Sequence, residues 1–359
     1  MRDIVILGST GSIGVQALEV IAANPELFRV VGLSAGGNNL TLLAKQVRDF
    51  NVPIVGVSSG AQELKSSLSG VKVIDGSGAS EQIASLTCDL VLNAITGSIG
   101  LAPTLAALAS GNKVALANKE SLVAGGDLVM AYGSEKIIPV DSEHSALFQA
   151  MSAGRVSDVS KLILTASGGP FRDRQDLSKV KLADALAHPT WSMGPVVTIN
   201  SATLVNKGLE IIEAHYLFSI AYSKIEAVIH PQSIVHSLVE FKDGSTLAQA
   251  SPPDMKGPIA YALAYPNRVG GAMAPINWNS KQSWEFEPID EKRFPAVQLA
   301  RRAGALGSSV AAIYNAANEV AVAAFMKEEI AFTAIVDTIE KVVDKLSASA
   351  PSRIRDISD

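Results

Sequence analysis

The sequence opens on an apolar run that leads into a glycine-rich segment, Ile4-Val5-Ile6-Leu7-Gly8-Ser9-Thr10-Gly11-Ser12-Ile13-Gly14. The apolar run predicts a buried strand, and the apolar residues of 13–21 recur at helical spacing. Glycines between a strand and a helix allow a tight turn and let backbone amides approach a pyrophosphate at the helix N-terminus. The spacing is G-x-x-G-x-x-G and not G-x-G-x-x-G, so a dinucleotide site is indicated mainly by the strand–turn–helix context. A glycine-rich turn in a fold without nucleotide is the alternative.

The residues that follow predict a parallel sheet. Short β-branched runs alternate with helical patterns, which is typical of βαβ units. The predicted strands are Ile4–Leu7, Val30–Ser34, Ile54–Val57, Val71–Ile74, Asp89–Asn93, Lys113–Leu116 and Lys136–Val140. The fold class expected is therefore α/β, with a Rossmann-like parallel-sheet domain over residues 1–139.

Residues 34–39, Ser-Ala-Gly-Gly-Asn-Asn, indicate which nicotinamide cofactor such a turn would take. NAD sites normally place an Asp or Glu near the end of the second strand, where it binds the ribose 2′-hydroxyl. This segment contains no acid, which favours NADP because a 2′-phosphate would not be repelled. It contains no Arg or Lys either.

The pattern changes after residue 139. A helix (Ser145–Met151) and a strand (Lys161–Thr165) precede an irregular stretch, 167–194, whose length and composition predict a lid. An antiparallel meander is then predicted, with Asp243-Gly244 as its second turn; its strands are Ile225–His230, Ile234–Phe241 and Thr246–Ala250. The expected organisation is a central α+β catalytic domain (140–265), a linker (266–290) and a C-terminal α-helical domain (291–359).

Composition narrows the class of protein. The 359 residues carry a formal net charge of −5 without a Lys/Arg stripe, so nucleic acid is not expected as a partner. Cys88 is the only cysteine, which excludes an intramolecular disulfide and fits a reducing compartment. The N-terminus does not resemble a secretory signal, and no window long and apolar enough to span a bilayer is expected. A cytoplasmic protein without a membrane partner is expected.

Polar residues follow several predicted strands, at the sheet edge where open α/β folds bind ligands. Ala94–Gly97 and Ala117–Ser121 come after two of the strands, and Asp141 and Glu143 come after the last. On an extended segment two acids with this spacing project to one side, and their oxygens suit Mg²⁺ or Mn²⁺. Two acids at a strand end are also commonly a helix N-cap and its partner.

A third acid is available in the segment 200–210. If a helix runs through it, Asn206 and Glu210 share a face, with Lys207 beside them. Hydroxyls, an amide, a cation and an acid together could hold a phosphate and contact a metal. The alternative is a solvated ion pair between Lys207 and Glu210 on a helix surface.

Together these segments resemble the 1-deoxy-D-xylulose-5-phosphate reductoisomerases. The resemblance covers nearly the whole chain, in the family's order. The matching stretches are GSTGSIG (8–14), ALANKESLVAGG (115–126), PVDSEHSALFQ (139–149), LTASGGPF (164–171), HPTWSMG (188–194), NSATLVNKGLEIIEAH (200–215), HPQSIVHSLVEF (230–241) and YNAANEVAVAAF (314–325).

The resemblance implies that NADPH and Mg²⁺ or Mn²⁺ act on 1-deoxy-D-xylulose 5-phosphate, a phosphorylated sugar. The carbon skeleton is rearranged and the resulting aldehyde is reduced by hydride, which gives 2-C-methyl-D-erythritol 4-phosphate for isoprenoid precursors. A homodimer is also implied. Some relatives carry Lys where this chain has Gly37.

The resemblance also implies roles for individual residues. Asp141, Glu143 and Glu210 match the metal ligands. Catalytic roles fall to Lys119, Glu143 and His188. The implied cofactor contacts are Thr10, Gly11, Ser12, Ile13, Gly36, Gly37, Asn38, Asn118, Glu120 and Gly194. The implied substrate contacts are Lys119, Ser142, Glu143, Ser167, His188, Trp191, Ser201, Asn206, Lys207 and Glu210.

Two other functions stay open from the residues alone. One is an NADP dehydrogenase of a small acid or semialdehyde that needs no metal, and the other is a non-catalytic NADP-binding regulator. Neither explains why a phosphate-binding segment, a lid with His188 and Trp191, and three acids occur in one chain.

Overall fold

The computed structural model describes residues 1–191 and 193–357. Its helices and strands, in chain order, are β1 (Arg2–Leu7), α1 (Ser12–Ala22), β2 (Phe28–Ala35), α2 (Leu40–Asp49), β3 (Ile54–Val57), α3 (Ala61–Ser67), β4 (Lys72–Asp75), α4 (Ala79–Ala84), β5 (Leu90–Asn93), α5 (Leu101–Ala109), β6 (Lys113–Leu116), α6 (Glu120–Met130), β7 (Ile137–Pro139), α7 (Ser142–Met151), β8 (Val159–Ala166), α8 (Leu182–Leu186), α9 (Pro195–Ala202), α10 (Val205–Phe218), β9 (Ile225–Ile229), β10 (Val235–Phe241), β11 (Thr246–Ala250), α11 (Lys256–Ala264), β12 (Glu287–Pro288), α12 (Ala296–Leu306), α13 (Ser308–Met326) and α14 (Phe332–Leu346).

The first compact unit, residues 1–121, 128–141 and 254–274, is built on a parallel sheet. Its seven strands have the order β4-β3-β2-β1-β5-β6-β7. All four residues of Ile4–Leu7 are fully buried, since alternate side chains of a central strand enter the two covered faces. The chain order reverses beside β1, which pairs in parallel with both β2 and β5. Such a reversal opens a crevice at the carboxyl end of the strand, where Gly8–Gly14 begins.

The second unit comprises residues 122–127, 142–253 and 275–359. Its mixed sheet has the order β11-β10-β8-β9-β12. The predicted meander is wrong at its first connection, because β8 lies between β9 and β10 and pairs in parallel with β9. The second connection is the predicted hairpin: Gly244 N donates to Phe241 O (3.0 Å), and Asp243 accepts from Ser245 N (3.0 Å).

The boundaries of the two units differ from those of the segments expected from the sequence. Residues 254–274 pack with the first unit: Arg2 donates to the carbonyl of Leu263 (2.7 Å), and Lys256 pairs with Glu19 of α1 (2.7 Å). The C-terminal helices belong to the second unit, where α12 packs against α10 and α13 packs against α9. The Phe171 and Phe332 rings, for example, meet edge to face with centroids 5.1 Å apart. Contacts between such distant stretches leave no local pattern in the sequence.

Among the residues that the structure describes, one helix is long and apolar enough to cross a membrane, which corrects the expectation that no such window exists. It is α13, and 56% of its apolar window is buried inside the structure. Apolar residues on several faces are what a core helix between other helices requires. Length and composition are therefore weak evidence for a membrane here.

Candidate active site

The glycine-rich turn has the geometry that the sequence predicts for anion binding. The strand β1 ends at Leu7, and α1 begins at Ser12 without an acid in its first turn. The amides of Ser12 and Ile13 belong to this first turn and have no acceptor within the helix. Gly14 lies so close to the turn that an added Cβ would be 2.4 Å from the carbonyl oxygen of Gly8. The segment Thr10–Ile13 therefore presents backbone donors at the positive end of a helix dipole.

The segment 36–39 connects β2 to α2 and carries no acid. Gly37 has φ 108°, and an added Cβ would lie 2.4 Å from both the carbonyl oxygen and Oγ of Ser59. A side chain therefore does not fit at position 37 in this backbone. Asn38 is exposed, and Asn39 caps α2 by accepting from Leu42 N (3.0 Å). The polar groups expected near a 2′-phosphate are neutral ones.

Asn118, an expected cofactor residue, is buried and ties two strand ends together. Its Nδ2 faces the carbonyls of Ile95 (2.6 Å) and Gly97 (2.8 Å) and a carboxylate oxygen of Glu120 (3.0 Å), while its Oδ1 accepts from Ser121 N (2.8 Å). The side chains of Asn118 and Glu120 are thus engaged within the protein. They position the residues after β5 and β6.

Lys119 and Asp141 form an ion pair in the first unit. Lys119 follows β6 and Asp141 follows the neighbouring strand β7. Lys119 Nζ lies 2.9 Å from Asp141 Oδ2, and each side chain is only 11% exposed. The parallel strands thus bring a cation and an acid to the same sheet edge, as the sequence predicts.

The position of Glu143 differs from the extended arrangement expected from the spacing. The helix α7 begins at Ser142, so Glu143 belongs to a first helical turn while Asp141 precedes the helix. Asp141 and Glu143 therefore do not lie together on one side of an extended strand. The Ser142 hydroxyl donates to the Glu143 carboxylate, which fixes that side chain at the helix start.

A buried group on α10 is the centre of the second unit's site. Lys207 Nζ lies 2.8 Å from Glu143 Oε1 and also contacts the Glu210 carboxylate, to which Asn206 donates through Nδ2. The Lys207 and Glu210 side chains are 3% and 1% exposed. Burial disfavours the charged form of Lys207, but the carboxylates of Glu143 and Glu210 outweigh it and raise the pKa of its ammonium. The alternative of a solvated surface pair is wrong for Lys207 and Glu210.

His188 brings two of the expected phosphate-binding residues together. Its Nε2 lies 3.0 Å from Ser167 Oγ and 3.1 Å from Ser201 Oγ. Its Nδ1 accepts from the backbone amides of Thr190 (3.1 Å) and Trp191 (2.9 Å). Since Nδ1 is an acceptor, the proton of the neutral ring lies on Nε2. Burial lowers the pKa of His188, which favours this neutral form.

The irregular stretch 167–194 is tied to the rest of the second unit at several points. Arg293 donates to the carbonyls of Arg172 (2.7 Å) and Arg174 (3.0 Å), and α8 adds a helical turn. Trp191 is half-buried with its ring 6.1 Å from that of His236, and Gly194 precedes α9. Ser192 lies outside the described residues. The lid that the sequence predicts over 167–194 stays a prediction.

Comparisons with known proteins identify the family. Profiles described as 1-deoxy-D-xylulose 5-phosphate reductoisomerase, its C-terminal domain, and DXP reductoisomerase C-terminal domain match residues 4–126, 137–218 and 250–359. Curated reductoisomerases of this name from Mycobacterium marinum and Kitasatospora griseola are 56% and 55% identical, over 99% and 94% of this chain and 89% and 91% of theirs. The chain belongs to the 1-deoxy-D-xylulose 5-phosphate reductoisomerase family.

Solved reductoisomerase structures share the fold. One, described as a complex with NADPH, fosmidomycin and magnesium, has a TM-score of 0.92 at 39% identity and covers 97% of this chain and 91% of its own. Another, from Zymomonas mobilis in complex with NADPH, has a TM-score of 0.92 at 38% identity, with coverages of 100% and 94%. The expected fold class, a Rossmann-like parallel sheet with an α+β part and C-terminal helices, is confirmed.

Sequence reasoning missed a buried pair that supports the reductoisomerase site. His144 Nε2 donates to the carbonyl of Glu210 (2.9 Å), and its Nδ1 lies 3.3 Å from Glu213 Oε2. The pair joins the start of α7 to α10. Its only sequence signal is that His144 adjoins Glu143, while Glu213 lies three residues, or about one helical turn, after Glu210.

Burial of His236 predicts a loss of stability in acid. Desolvation lowers the pKa of this histidine to about 4, so the folded protein holds the ring neutral. The stability that the neutral His236 ring contributes is fully present above the ordinary pKa near 6.5, and it is lost as the pH falls towards 4. Between pH 7 and pH 5 we expect His236→Gln to lose about 2 kcal/mol less unfolding free energy than wild type. Urea unfolding at both pH values measures this, and equal losses would contradict it.

Proposed function

We propose that this chain is an NADPH- and divalent-metal-dependent reductoisomerase that converts 1-deoxy-D-xylulose 5-phosphate to 2-C-methyl-D-erythritol 4-phosphate, a step towards isoprenoid precursors. The observation that carries the proposal is the buried Glu143–Lys207–Glu210 group, in a chain of this family. A solved relative is described as a complex with NADPH, fosmidomycin and magnesium. We take magnesium as an ion, and fosmidomycin as a ligand, that this group of residues would bind.

The donor set of the second unit fits a divalent cation. Glu143 and Glu210 offer hard carboxylate oxygens, and both contact the ammonium of Lys207. Asp141, two residues before Glu143, is the proposed third ligand. Oxygen donors suit Mg²⁺ or Mn²⁺ better than a softer ion. A bound divalent cation would polarise the substrate's carbonyl oxygen.

The substrate's phosphate is assigned to the other polar group of this unit. The hydroxyls of Ser167 and Ser201 both lie within hydrogen-bond distance of Nε2 of His188. Asn206 and Lys207 follow Ser201 within six residues. Leu204, in the short connection from α9 to α10, takes a left-handed conformation (φ 57°). These donors are proposed to bind the phosphate, while Ser142 and Asn206 bind the substrate's hydroxyl groups.

The remaining roles concern orientation and water. Lys119 is proposed to place its ammonium beside the reacting oxygens. His188 and Trp191 are proposed to cover the substrate, with Met193 beside them, and closure would exclude water during hydride transfer. NADPH is assigned to the turn Thr10–Ile13, to Gly36–Asn38, and to the strand ends held by Asn118 and Glu120. Gly194 stays a proposed cofactor contact.

The two competing functions explain less. A dehydrogenase that needs no metal gives no reason to place the buried Lys207 between the buried Glu210 and the partly exposed Glu143, since each charge removed from water is costly. A regulator that only binds NADP gives no reason for the Ser167–His188–Ser201 group. We also propose a homodimer and a cytoplasmic location, for which the support is the family resemblance and the single cysteine.

Glu210→Gln tests the metal and the reaction together. The change removes one negative charge with little change of shape, so the cation should bind more weakly and turnover should fall at least about a hundredfold, since metal polarisation typically contributes several kcal/mol. NADPH oxidation with 1-deoxy-D-xylulose 5-phosphate, across a Mg²⁺ titration and with a chelator, measures this. Turnover by wild type that persists in the chelator would overturn the proposed metal dependence.

The matched control for Glu210→Gln is Glu226→Gln. Glu226 pairs with Lys161 in the same unit (2.9 Å), but the pair is largely exposed. Exposed pairs contribute about 0–1 kcal/mol, so this variant should keep wild-type turnover. Equal activity of the two variants at ordinary metal concentration would remove Glu210 from the metal site.

Asn38→Asp tests the choice of cofactor. A carboxylate beside the 2′-phosphate should lower the preference for NADPH over NADH by about tenfold, because like charges repel. Gly37→Asp is a poorer test, since position 37 has no room for a side chain. Steady-state rates with each cofactor give the ratio. An unchanged ratio would place the 2′-phosphate away from Asn38.

Trp191 tests lid closure. In a background with Trp278→Phe and Trp284→Phe, Trp191 is the remaining tryptophan. Saturation with fosmidomycin should shift its emission and reduce its quenching by iodide, because a closed indole is shielded from water. Adding Trp191→Phe to this background is the control and should abolish the signal. Identical emission and quenching with and without the phosphonate would argue against closure.

A further inference from the structure

The buried amide side chain of Gln46, on α2, is hydrogen-bonded to the glycine-rich turn. Gln46 of α2 is 5% exposed, and Ser9 is fully buried. Gln46 Nε2 donates to the carbonyl oxygen of Ser9 (2.8 Å), and Ser9 Oγ donates to Gln46 Oε1 (2.9 Å). One side chain thus makes two hydrogen bonds to one residue of the turn.

The remaining polar group of Ser9 is also engaged. Its backbone amide donates to the carbonyl of Ser34 (3.0 Å), as does that of Gly8 (2.9 Å). Ser9 therefore directs its amide, carbonyl and hydroxyl into the protein. The turn is anchored at Ser9, while the backbone donors after it, at Ser12 and Ile13, open the first turn of α1.

Gln46 also links this turn to the other part of the dinucleotide site. The helix α2 starts after residues 36–39, and its cap, Asn39, lies seven residues before Gln46. Leu43, Ala44 and Val47 are buried on the same helix, so Gln46 occupies an apolar face. A polar group there is costly unless it is hydrogen-bonded, and Ser9 supplies both partners.

We propose that Gln46 is a positioning residue for dinucleotide binding: it presets the Gly8–Gly14 turn for the pyrophosphate through Ser9. Gln46 acts through Ser9 and need not touch the cofactor. The inference rests on the proposed binding of NADPH to this turn. A backbone already held in its binding conformation loses less entropy when the ligand binds, so weakening the anchor should weaken the ligand.

Gln46→Met is the test, because it keeps the length of the side chain and removes both hydrogen bonds. The dissociation constant of NADPH should rise about tenfold or more, since the buried Ser9 groups lose their partners. NADH should weaken by the same factor, because the pyrophosphate is common to both cofactors. Titrations followed by NADPH and NADH fluorescence measure both constants. The affinity of the second unit for Mn²⁺, read by electron paramagnetic resonance, should not change.

Asn112→Leu is the matched control for lost stability. Asn112 is also a buried amide of the first unit, with Nδ2 donating to the carbonyls of Ala84 (3.0 Å) and Leu86 (2.9 Å), but it immediately precedes β6, at the amino end of the strand. It should lower the melting temperature as Gln46→Met does and leave NADPH affinity at the wild-type value. Ser9→Ala removes only one of the two bonds, so it should give an intermediate loss of affinity even where Gln46→Met fails to fold.

The outcomes distinguish the proposed role of Gln46 from the proposed binding of NADPH. An NADPH affinity within twofold of wild type in Gln46→Met, or an equal loss in Asn112→Leu, would reduce Gln46 to a structural residue. Weaker NADPH with unchanged NADH would place its effect at the 2′-phosphate and overturn the assignment to the pyrophosphate. Wild-type protein that binds neither nucleotide would refute the proposed cofactor itself, whatever Gln46 does.

Discussion

The second unit depends on one buried ion pair group: the ammonium of Lys207 between the carboxylates of Glu143 and Glu210. Removing the charges of Lys207 and Glu210 from water costs several kcal/mol per ion, and only close opposite charges and further hydrogen bonds offset that cost. Asn206 and Ser142 supply such bonds to the two carboxylates. The same requirement fixes where α7 and α10 lie within this unit, because Glu143 is on one helix and Lys207 and Glu210 are on the other.

Further buried contacts hold the surroundings of this group. His144, the residue after Glu143, and Glu213, about one turn after Glu210, join α7 to α10, and both side chains are buried. The carbonyl of Glu210 is itself an acceptor for His144, so backbone and side chain of the same residue are held from two directions. Ligands held in this way lose little entropy when an ion or substrate binds, and that is how a second layer of hydrogen bonds supports a metal site.

Local patterns in the sequence predicted much of this arrangement. The strands of the parallel sheet, the strand–turn–helix at Gly8–Gly14 and the shared face of Asn206 and Glu210 depend on residues close in sequence, where periodicity is informative. The insertion of β8 between β9 and β10 depends on which strands pair across the chain, and no local pattern encodes this. The packing of residues 254–274 with the first unit was invisible for the same reason.

Polar residues inside apolar patterns were the least predictable. Gln46 lies in the buried face of α2 and reads as a defect in an amphipathic pattern until its partner Ser9 is known. His188 reads as a solvated loop histidine, yet two backbone amides fix its tautomer. In both cases the side chain faces a partner far away in sequence or a backbone group that exists only once the loop has folded. Such residues become interpretable only when hydrogen bonds are counted in three dimensions.

The state of His188 also constrains how the second unit can hold a dianionic phosphate. With Nδ1 accepting from the amides of Thr190 and Trp191, the ring has a single N–H to offer, and Ser167 and Ser201 both face it. Burial lowers the pKa of His188 and so favours the neutral ring, which would give the phosphate a hydrogen bond but no positive charge. In the proposed assignment the charge comes from Lys207, whose ammonium is already shared by two carboxylates. A cation that takes over those carboxylates would free the ammonium for the phosphate, so metal and substrate should bind with positive cooperativity.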